Sequence, residues 1–359
     1  WIDKENYQTL LSNQLINEEV SNSLIEYVIG QGTLPVGLLP KIVVDEKEYV
    51  VPMMVEEPSV VAAASYGAKL VNQTGGFKTI KSERLMIGQI VFDHVKDTED
   101  LTQQIQKREI QIKQIADEAY PSIIQRGGGY RGIDIDTFPN EQLLSLKLFV
   151  DTKDAMGANM LNTILEAVTV YLKNELTDQE ILMSILSNHA RSSVVRIEGE
   201  IDINDLNRGD YSGEEVAKRM ERASVLAQVD IHRAATHNKG VMNGIHAVVL
   251  ATGNDTRGAE ASAHAYAARD GQYRGIATWK YDESRRRLVG TIEVPMTLAI
   301  VGGGTKVLPI AKASLDLLNV ESARELGHVV AAVGLAQNFS ASRALVSEGI
   351  QKGHMSLQY

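Results

Sequence analysis

The sequence predicts an α+β fold in two parts: a large, mostly helical domain from residues 1–81 and 189–350, and a smaller unit of β-α-β-β-α-β order inserted at 82–188. Three observations predict it. A chain of 359 residues is long enough for one large domain or two ordinary ones. The texture changes near residue 82, where strand-like apolar runs begin to alternate with two long helical patterns. It changes back near residue 189, after which stretches rich in Ala, Val and Gly repeat at helical spacing.

In chain order, residues 15–29 (LINEEVSNSLIEYVI) repeat apolar positions at helical spacing and stop at Gly30. KIVVDEKEYVVPMM (41–54) reads as a hairpin turning near Glu46 and Lys47. Pro58 and Ser59 open a small-residue helix that Gly75 and Gly76 close. In the insert, RLMIGQIVFDHV is a strand and DTEDLTQQIQKREIQIKQIADEAY one long polar helix. GYRGIDIDTF and QLLSLKLFVDTK are two more strands. GANMLNTILEAVTVYLKNEL is a helix with Met160, Leu161, Ile164, Leu165, Val168, Tyr171 and Leu172 on one face, and ILMSILSN is the last strand. The larger domain resumes with the strand SSVVRIEGEIDI, and Ser212-x-x-Glu215 is a capping box before VAKRMERASVLAQV. Helices run through 240–268, GIATWKYDESRRRLVGTIEVPM is a hairpin, LAIVGGGTKVLP is a strand broken by three glycines, and 321–352 is helical.

Hydrophobic content of 44% and charged content of 23% are those of a soluble globular enzyme or binding protein. The absence of cysteine excludes a disulfide framework, a thiolate nucleophile and a thiolate metal site, and fits a reducing cytoplasm. A net charge of −10 argues against a general nucleic-acid binder, which needs a basic field. No apolar run approaches the ~20 residues of a bilayer span, so no membrane segment is expected. The opening WIDKENYQTL has neither a Met nor a signal-peptide pattern, so Trp1 is not expected to be the biological start.

Several stretches carry residues suited to chemistry. DAMGAN (154–159) begins a helix after a strand, where free N–H groups and a glycine can receive a phosphate; Asp154 as a plain helix cap is the competing reading. VGGGTKVLP (301–309) permits close approach of backbone to a ligand, or is a tight turn. QRGGGYRG (125–132) reads as a loop. Glu56 and Glu57 stand before Pro58, as helix-capping carboxylates or as a proton donor. ATHNKGVMNGIHAVVLATGNDTRGAEA (235–261) sets Lys239 and Asp255 among apolar and small residues. With Arg233, Asn243 and Asn254 nearby, a polar pocket with a fixed cation is favoured over a structural ion pair. The eight histidines show no metal-ligand spacing.

EEPSVVAAAS, DAMGANM, THNKGVMNGI, TGNDTRGAEA, VGGGT and GIQKGHMSL occur in the order in which similar motifs occur in bacterial, class II 3-hydroxy-3-methylglutaryl-CoA (HMG-CoA) reductases, and the chain resembles that family from about residue 15 to its end. The resemblance implies two successive hydride transfers from a nicotinamide cofactor, which turn HMG-CoA into mevalonate and free CoA in the mevalonate route to isoprenoids. It implies that Glu57 is the catalytic acid, Lys239 the cation facing the oxyanion, Asp255 the partner of Lys239, and His354 the acid for the departing CoA thiolate. Ser59, Arg233, Asn243 and Gln337 match substrate-binding positions. Asp154, Met156, Gly157, Ala158 and Asn159 match the dinucleotide site, with Asn188, Val301, Gly302 and Gly303 as its other wall. The insert is then a ferredoxin-like cofactor domain and the larger domain holds HMG-CoA.

The chain ends at HMSLQY, where relatives continue into a small helical flap, so 351–359 reads as the start of that flap and the rest as apparently absent. Relatives that prefer NADH place an acid where Tyr120 falls here, and Arg126 and Lys153 are close in sequence, so NADPH is expected over NADH. The resemblance also implies a cytoplasmic homodimer with a shared active site, or a multiple of such dimers, with no nucleic-acid or membrane partner. Two alternatives stay open: another NAD(P)H-dependent acyl-CoA or aldehyde reductase, and the reductase half of a thiolase–reductase fusion.

Overall fold

A computed structural model describes residues 2–12, 16–347 and 349. It forms two compact units, one up to Ser82 and from Val194 onward, the other Glu83–Ser193. The second break falls at Ser193 rather than at 188 because the intervening turn is tied back to the insert. Ser193 Oγ donates to the Leu85 carbonyl at 2.8 Å, and Arg191 pairs with Asp134 at 2.9 Å.

In the first unit, strands Val36–Val44 and Lys47–Met54 form an antiparallel hairpin. Its two-residue turn is Asp45 and Glu46, one residue earlier than the expected Glu46 and Lys47, because Lys47 already pairs with Val44; both turn residues are left-handed, with φ of 49° and 68°. A four-stranded antiparallel sheet runs Lys78–Ser82, Val194–Asp202, Arg287–Pro295, Ala277–Asp282. The capping box at Ser212 and Glu215 starts helix Gly213–Val229 as its sequence predicts.

Helix Ala323–Val346 packs against helices Val60–Asn72 and Ile231–Ala251. By length and composition it is long and apolar enough to cross a bilayer, which corrects the expectation that no such run exists. Yet 72% of that apolar stretch is buried, so its composition is accounted for as the core of this unit. The helices meet closely. A Cβ on Gly67 would lie 2.2 Å from the Ala336 carbonyl oxygen, and one on Gly244 would lie 2.9 Å from Gln337 Cβ.

The second unit has strands Met86–Asp93, Gly129–Phe138, Leu143–Asp151 and Glu180–Ser187. All pairings are antiparallel, and the order across the sheet is second, third, first, fourth. Helix Ala158–Glu175 buries Met160, Leu161, Ile164, Leu165, Val168 and Leu172, the expected stripe, with Tyr171 partly buried beside it.

Three local expectations are corrected. The helix expected over 15–29 is only Glu18–Leu24, because Asn17 caps it and Ile25 leaves in extended conformation; Ile25, Tyr27 and Ile29 are exposed and give no packing to prolong it. The long helix of 97–120 is two, Thr98–Gln106 and Glu109–Ala119, broken where the Arg108 N–H turns back to the Ile105 carbonyl at 2.9 Å. Residues 298–303 form a turn rather than a strand, since Gly302 and Gly303 take φ of 82° and 54° before the short helix Gly304–Val307.

Gly67→Ala places its methyl against backbone that cannot swing aside. It is expected to lower stability by about 1–3 kcal/mol in urea unfolding, and an unchanged midpoint sinks the packing argument.

Candidate active site

Ser59 is the N-cap of helix Val60–Asn72, at φ 70° and without a side-chain cap bond. This left-handed turn sends the chain sharply from the hairpin into the helix, and Glu57 stands just before it. Glu57 is therefore not a helix cap. Its carboxylate meets Lys239 Nζ at 2.6 Å, and Asn243 Nδ2 donates to its other oxygen at 3.4 Å. Lys239 and Asn243 share a face because they are four apart on helix Ile231–Ala251.

Lys239 was expected in a dry surround, paired with Asp255; it is neither. Its side chain is 60% exposed, and its ion-pair partner among the described residues is Glu57, 39% exposed. Asp255 is exposed and caps helix Thr256–Ala267, accepting from the Gly258 N–H at 3.0 Å. A pair as exposed as Glu57–Lys239 contributes at most about 1 kcal/mol, so a ligand can separate it at small cost.

These groups line a cavity of about 400 Å³ that Ser59, Arg233 and Gln337 also border. Ser59 Oγ and Gln337 Oε1 are buried with no hydrogen-bond partner among the described residues. Such atoms cost about 1–3 kcal/mol each when unmatched, which marks a wall built for polar contact. Arg233 is half-buried and has no carboxylate partner among the described residues; burial lowers its pKa from the usual arginine value. Sequence reading missed Arg343 and Tyr66. Both border the cavity, and the guanidinium bonds the tyrosine hydroxyl and lies 4.8 Å above its ring. Arg343 is the one charged residue in the apolar run 329–346, and that was the available signal.

Asn254, read as part of the polar pocket, instead ties a loop: it donates to the Ala299 carbonyl at 3.0 Å and accepts from the Ala299 N–H at 2.7 Å. His237 also borders the cavity but is a scaffold group. Burial, and then the nearby Arg233, push its pKa down to about 4, and the neutral ring bonds the Ala277 carbonyl at 2.9 Å.

In the second unit, helix Ala158–Glu175 begins at Gly157, φ 87°, with no side-chain cap, so Asp154 is not its N-cap. Any larger residue at 157 would strike Thr152, 2.3 Å from the would-be Cβ. The N–H groups of Ala158, Asn159 and Met160 have no acceptor among the described residues. Met156 is partly buried in the same turn, and Asn188 is exposed just after strand Glu180–Ser187. Val301, Gly302 and Gly303 form an exposed turn in the first unit. His354 and the flap residues 351–359 lie outside the described residues.

A sequence profile described as hydroxymethylglutaryl-coenzyme A reductase matches residues 2–359. The chain belongs to that family. It is 43% identical over 342 residues to 3-hydroxy-3-methylglutaryl-coenzyme A reductase of Archaeoglobus fulgidus, covering 94% of this chain and 76% of that protein. A probable reductase of Borreliella burgdorferi is 35% identical over 341 residues, covering 95% and 78%. The reductase of Streptococcus pneumoniae superposes with a TM-score of 0.93 at 43% identity, covering 96% of this chain and 94% of that one. A class II structure from the same organism, bound to NADPH in open conformations, gives the same values. Bacterial class II membership fits these likenesses, and the fold is the mixed α/β fold of those structures. The chain is therefore an oxidoreductase that reduces HMG-CoA in the mevalonate pathway.

The neutral His237 gives the reductase a pH signature. Its folded pKa, about 4, lies below the ordinary 6.5, so its contribution is complete above 6.5 and lost as pH falls through 4. The full shift corresponds to about 3 kcal/mol. His237→Gln should flatten the stability slope over that window in pH-dependent urea unfolding; the same slope in both proteins would refute the buried neutral ring.

Proposed function

We propose that Lys239 is the cation that receives the developing oxyanion when the HMG-CoA thioester is reduced to mevalonate and free CoA. The observation that carries this is the 2.6 Å contact of Lys239 with Glu57 beside the cavity. Hydride addition puts negative charge on a carbonyl oxygen, and an ammonium held there stabilises it. Glu57, in contact with that ammonium, holds the proton that the alkoxide takes at the aldehyde step. His354 protonates the departing thiolate, because imidazole, with a pKa of about 6.5, is a stronger acid than a thiol at about 8.5. Asp255 serves as a longer-range counter-charge to Lys239, without the direct pair that Glu57 forms. Arg233 takes the HMG carboxylate, and Ser59, Asn243 and Gln337 take its polar groups; the partnerless guanidinium and the orphaned Ser59 Oγ and Gln337 Oε1 support this.

The insert is, in this reading, a ferredoxin-like cofactor domain, as its second-third-first-fourth antiparallel strand order suggests. Bound there, NADPH supplies the hydride. Its pyrophosphate suits the unclaimed N–H groups after Gly157, with Asp154, Met156 and Asn188 around it. A 2′-phosphate suits Lys153, whose Cε lies 3.8 Å from where a Gly127 Cβ would stand, next to Arg126. Arg131 reaches the same loop, donating to the Gly127 carbonyl at 2.7 Å. The working form is a cytoplasmic homodimer with a shared active site. Two features support an assembly: the open side of Lys239, and the exposed Leu226, Val229 and Ile231 where its helix begins.

Lys239→Ala should cut kcat for HMG-CoA-dependent NADPH consumption by about 10²–10³, and wild-type turnover by that variant ends the proposal. NADPH should exceed NADH in kcat/KM, with Lys153→Ala narrowing the gap; NADH winning by about tenfold reverses the cofactor assignment.

A further inference from the structure

We propose that Glu260, held between His246 and His264, is a positioning residue for the reduction. It fixes helix Thr256–Ala267, and with it Asp255, against the helix that presents Lys239 and Asn243. The inference rests on the roles given above to Lys239 and Asp255.

One Glu260 oxygen lies 3.1 Å from His246 Nδ1, and the other lies 3.1 Å from His264 Nε2. His264 Nδ1 is 2.7 Å from the Tyr273 hydroxyl, and the two rings stack at 6.0 Å. Tyr273 directly precedes Arg274, whose backbone is held by the Asn238 side chain. Asn238 is fully buried and holds the Arg274 carbonyl at 2.8 Å and the Ile276 N–H at 2.9 Å. The series of contacts therefore begins and ends on one helix. Asn238 directly precedes Lys239, and His246 follows Asn243 by one turn. Helix Ile231–Ala251 is gripped on either side of its Lys239–Asn243 face, and the grip passes through the helix that Asp255 opens.

Stability alone does not explain this arrangement. The side chains of His246, His264 and Glu260 are 43%, 41% and 32% exposed, and pairs of that exposure add little. What they set is register: the His246–Glu260 contact crosses between the helices and breaks if either slides, while His264, on the same helix as Glu260, holds the carboxylate in place for it. If His264 donates from Nε2, its Nδ1 accepts from Tyr273, so a neutral ring satisfies both partners. His246 is the titrating member. Glu260 first, with Glu56 adding to it, raises its pKa above the ordinary 6.5 against the effect of burial, and His246 first, with His264, lowers that of Glu260 from 4.5. The groups facing the clamp are thus Glu56, His264 and Tyr273. The His246 contribution is complete below 6.5 and is lost as pH rises through its raised pKa; that of Glu260 is complete above 4.5 and lost as pH falls through its lowered one. The clamp is tightest in mildly acidic solution and loosens on the alkaline side.

The test uses steady-state kinetics and melting temperatures of the full chain carrying Glu260→Gln, His246→Asn or Lys239→Ala. Glu260→Gln should lower kcat about 10–100-fold with the melting temperature nearly unchanged. It should leave KM for NADPH within about twofold. His246→Asn keeps a neutral donor, so it should retain most of kcat while losing the alkaline fall of the wild-type profile. Wild-type kcat and pH profile in Glu260→Gln, with Lys239→Ala inactive, overturns the clamp alone. A kcat loss that only tracks a lowered melting temperature also overturns it. Full turnover by Lys239→Ala overturns the reading on which it rests.

Discussion

The site depends on how closely three helix backbones approach one another. At Gly67 there is room for hydrogen but not for carbon, since a Cβ would lie 2.2 Å from the Ala336 carbonyl oxygen. At Gly244 a Cβ would come within 2.9 Å of Gln337 and 3.1 Å of the Val333 carbonyl oxygen. Glycine in a helix interior costs about 1 kcal/mol against alanine, and the dense apolar core around these contacts offsets it. With no side chain between them, the helices bring Glu57 and Ser59, Lys239 and Asn243, and Gln337 to one cavity, although these residues are far apart in sequence.

Polar groups around the cavity differ in how firmly they are committed. Asn238 and Asn254 are spent on backbone, and His237 is kept neutral by burial. That neutrality matters for Arg233: a protonated ring nearby would add a second, uncompensated charge to the same wall. Lys239 and Glu57 hold each other weakly because both are partly exposed, and Arg233 has no carboxylate partner among the described residues. The scaffold is satisfied internally, while the groups suited to an oxyanion and a carboxylate are left available.

The sequence made regular elements legible wherever local chemistry and burial agree. The capping box at Ser212 and the stripe on Ala158–Glu175 are examples, each set by residues within a few positions. Elements were misread where the pattern continued but the packing did not, as with the exposed Ile25, Tyr27 and Ile29. Of the site, the residue types and their order were legible through the motifs. The pairing was not. Charges at 239 and 255 look like partners in sequence, yet one helix end claims Asp255 as its cap while a separate turn delivers Glu57 to Lys239. Arg343 went unread because its significance lies in the cavity it borders.

The local field also runs against the global one. The chain carries −10, which should repel an anionic thioester and an anionic dinucleotide alike. Among the described residues that border the cavity, however, Arg233, Lys239 and Arg343 stand against Glu57. Charges in a concave, partly apolar wall act through less water than charges on the open surface, so a few cations there outweigh many acids elsewhere. Excess negative charge outside and cations within therefore coexist: the first keeps copies of the chain from adhering nonspecifically, and the second makes the cavity a favourable place for an anion.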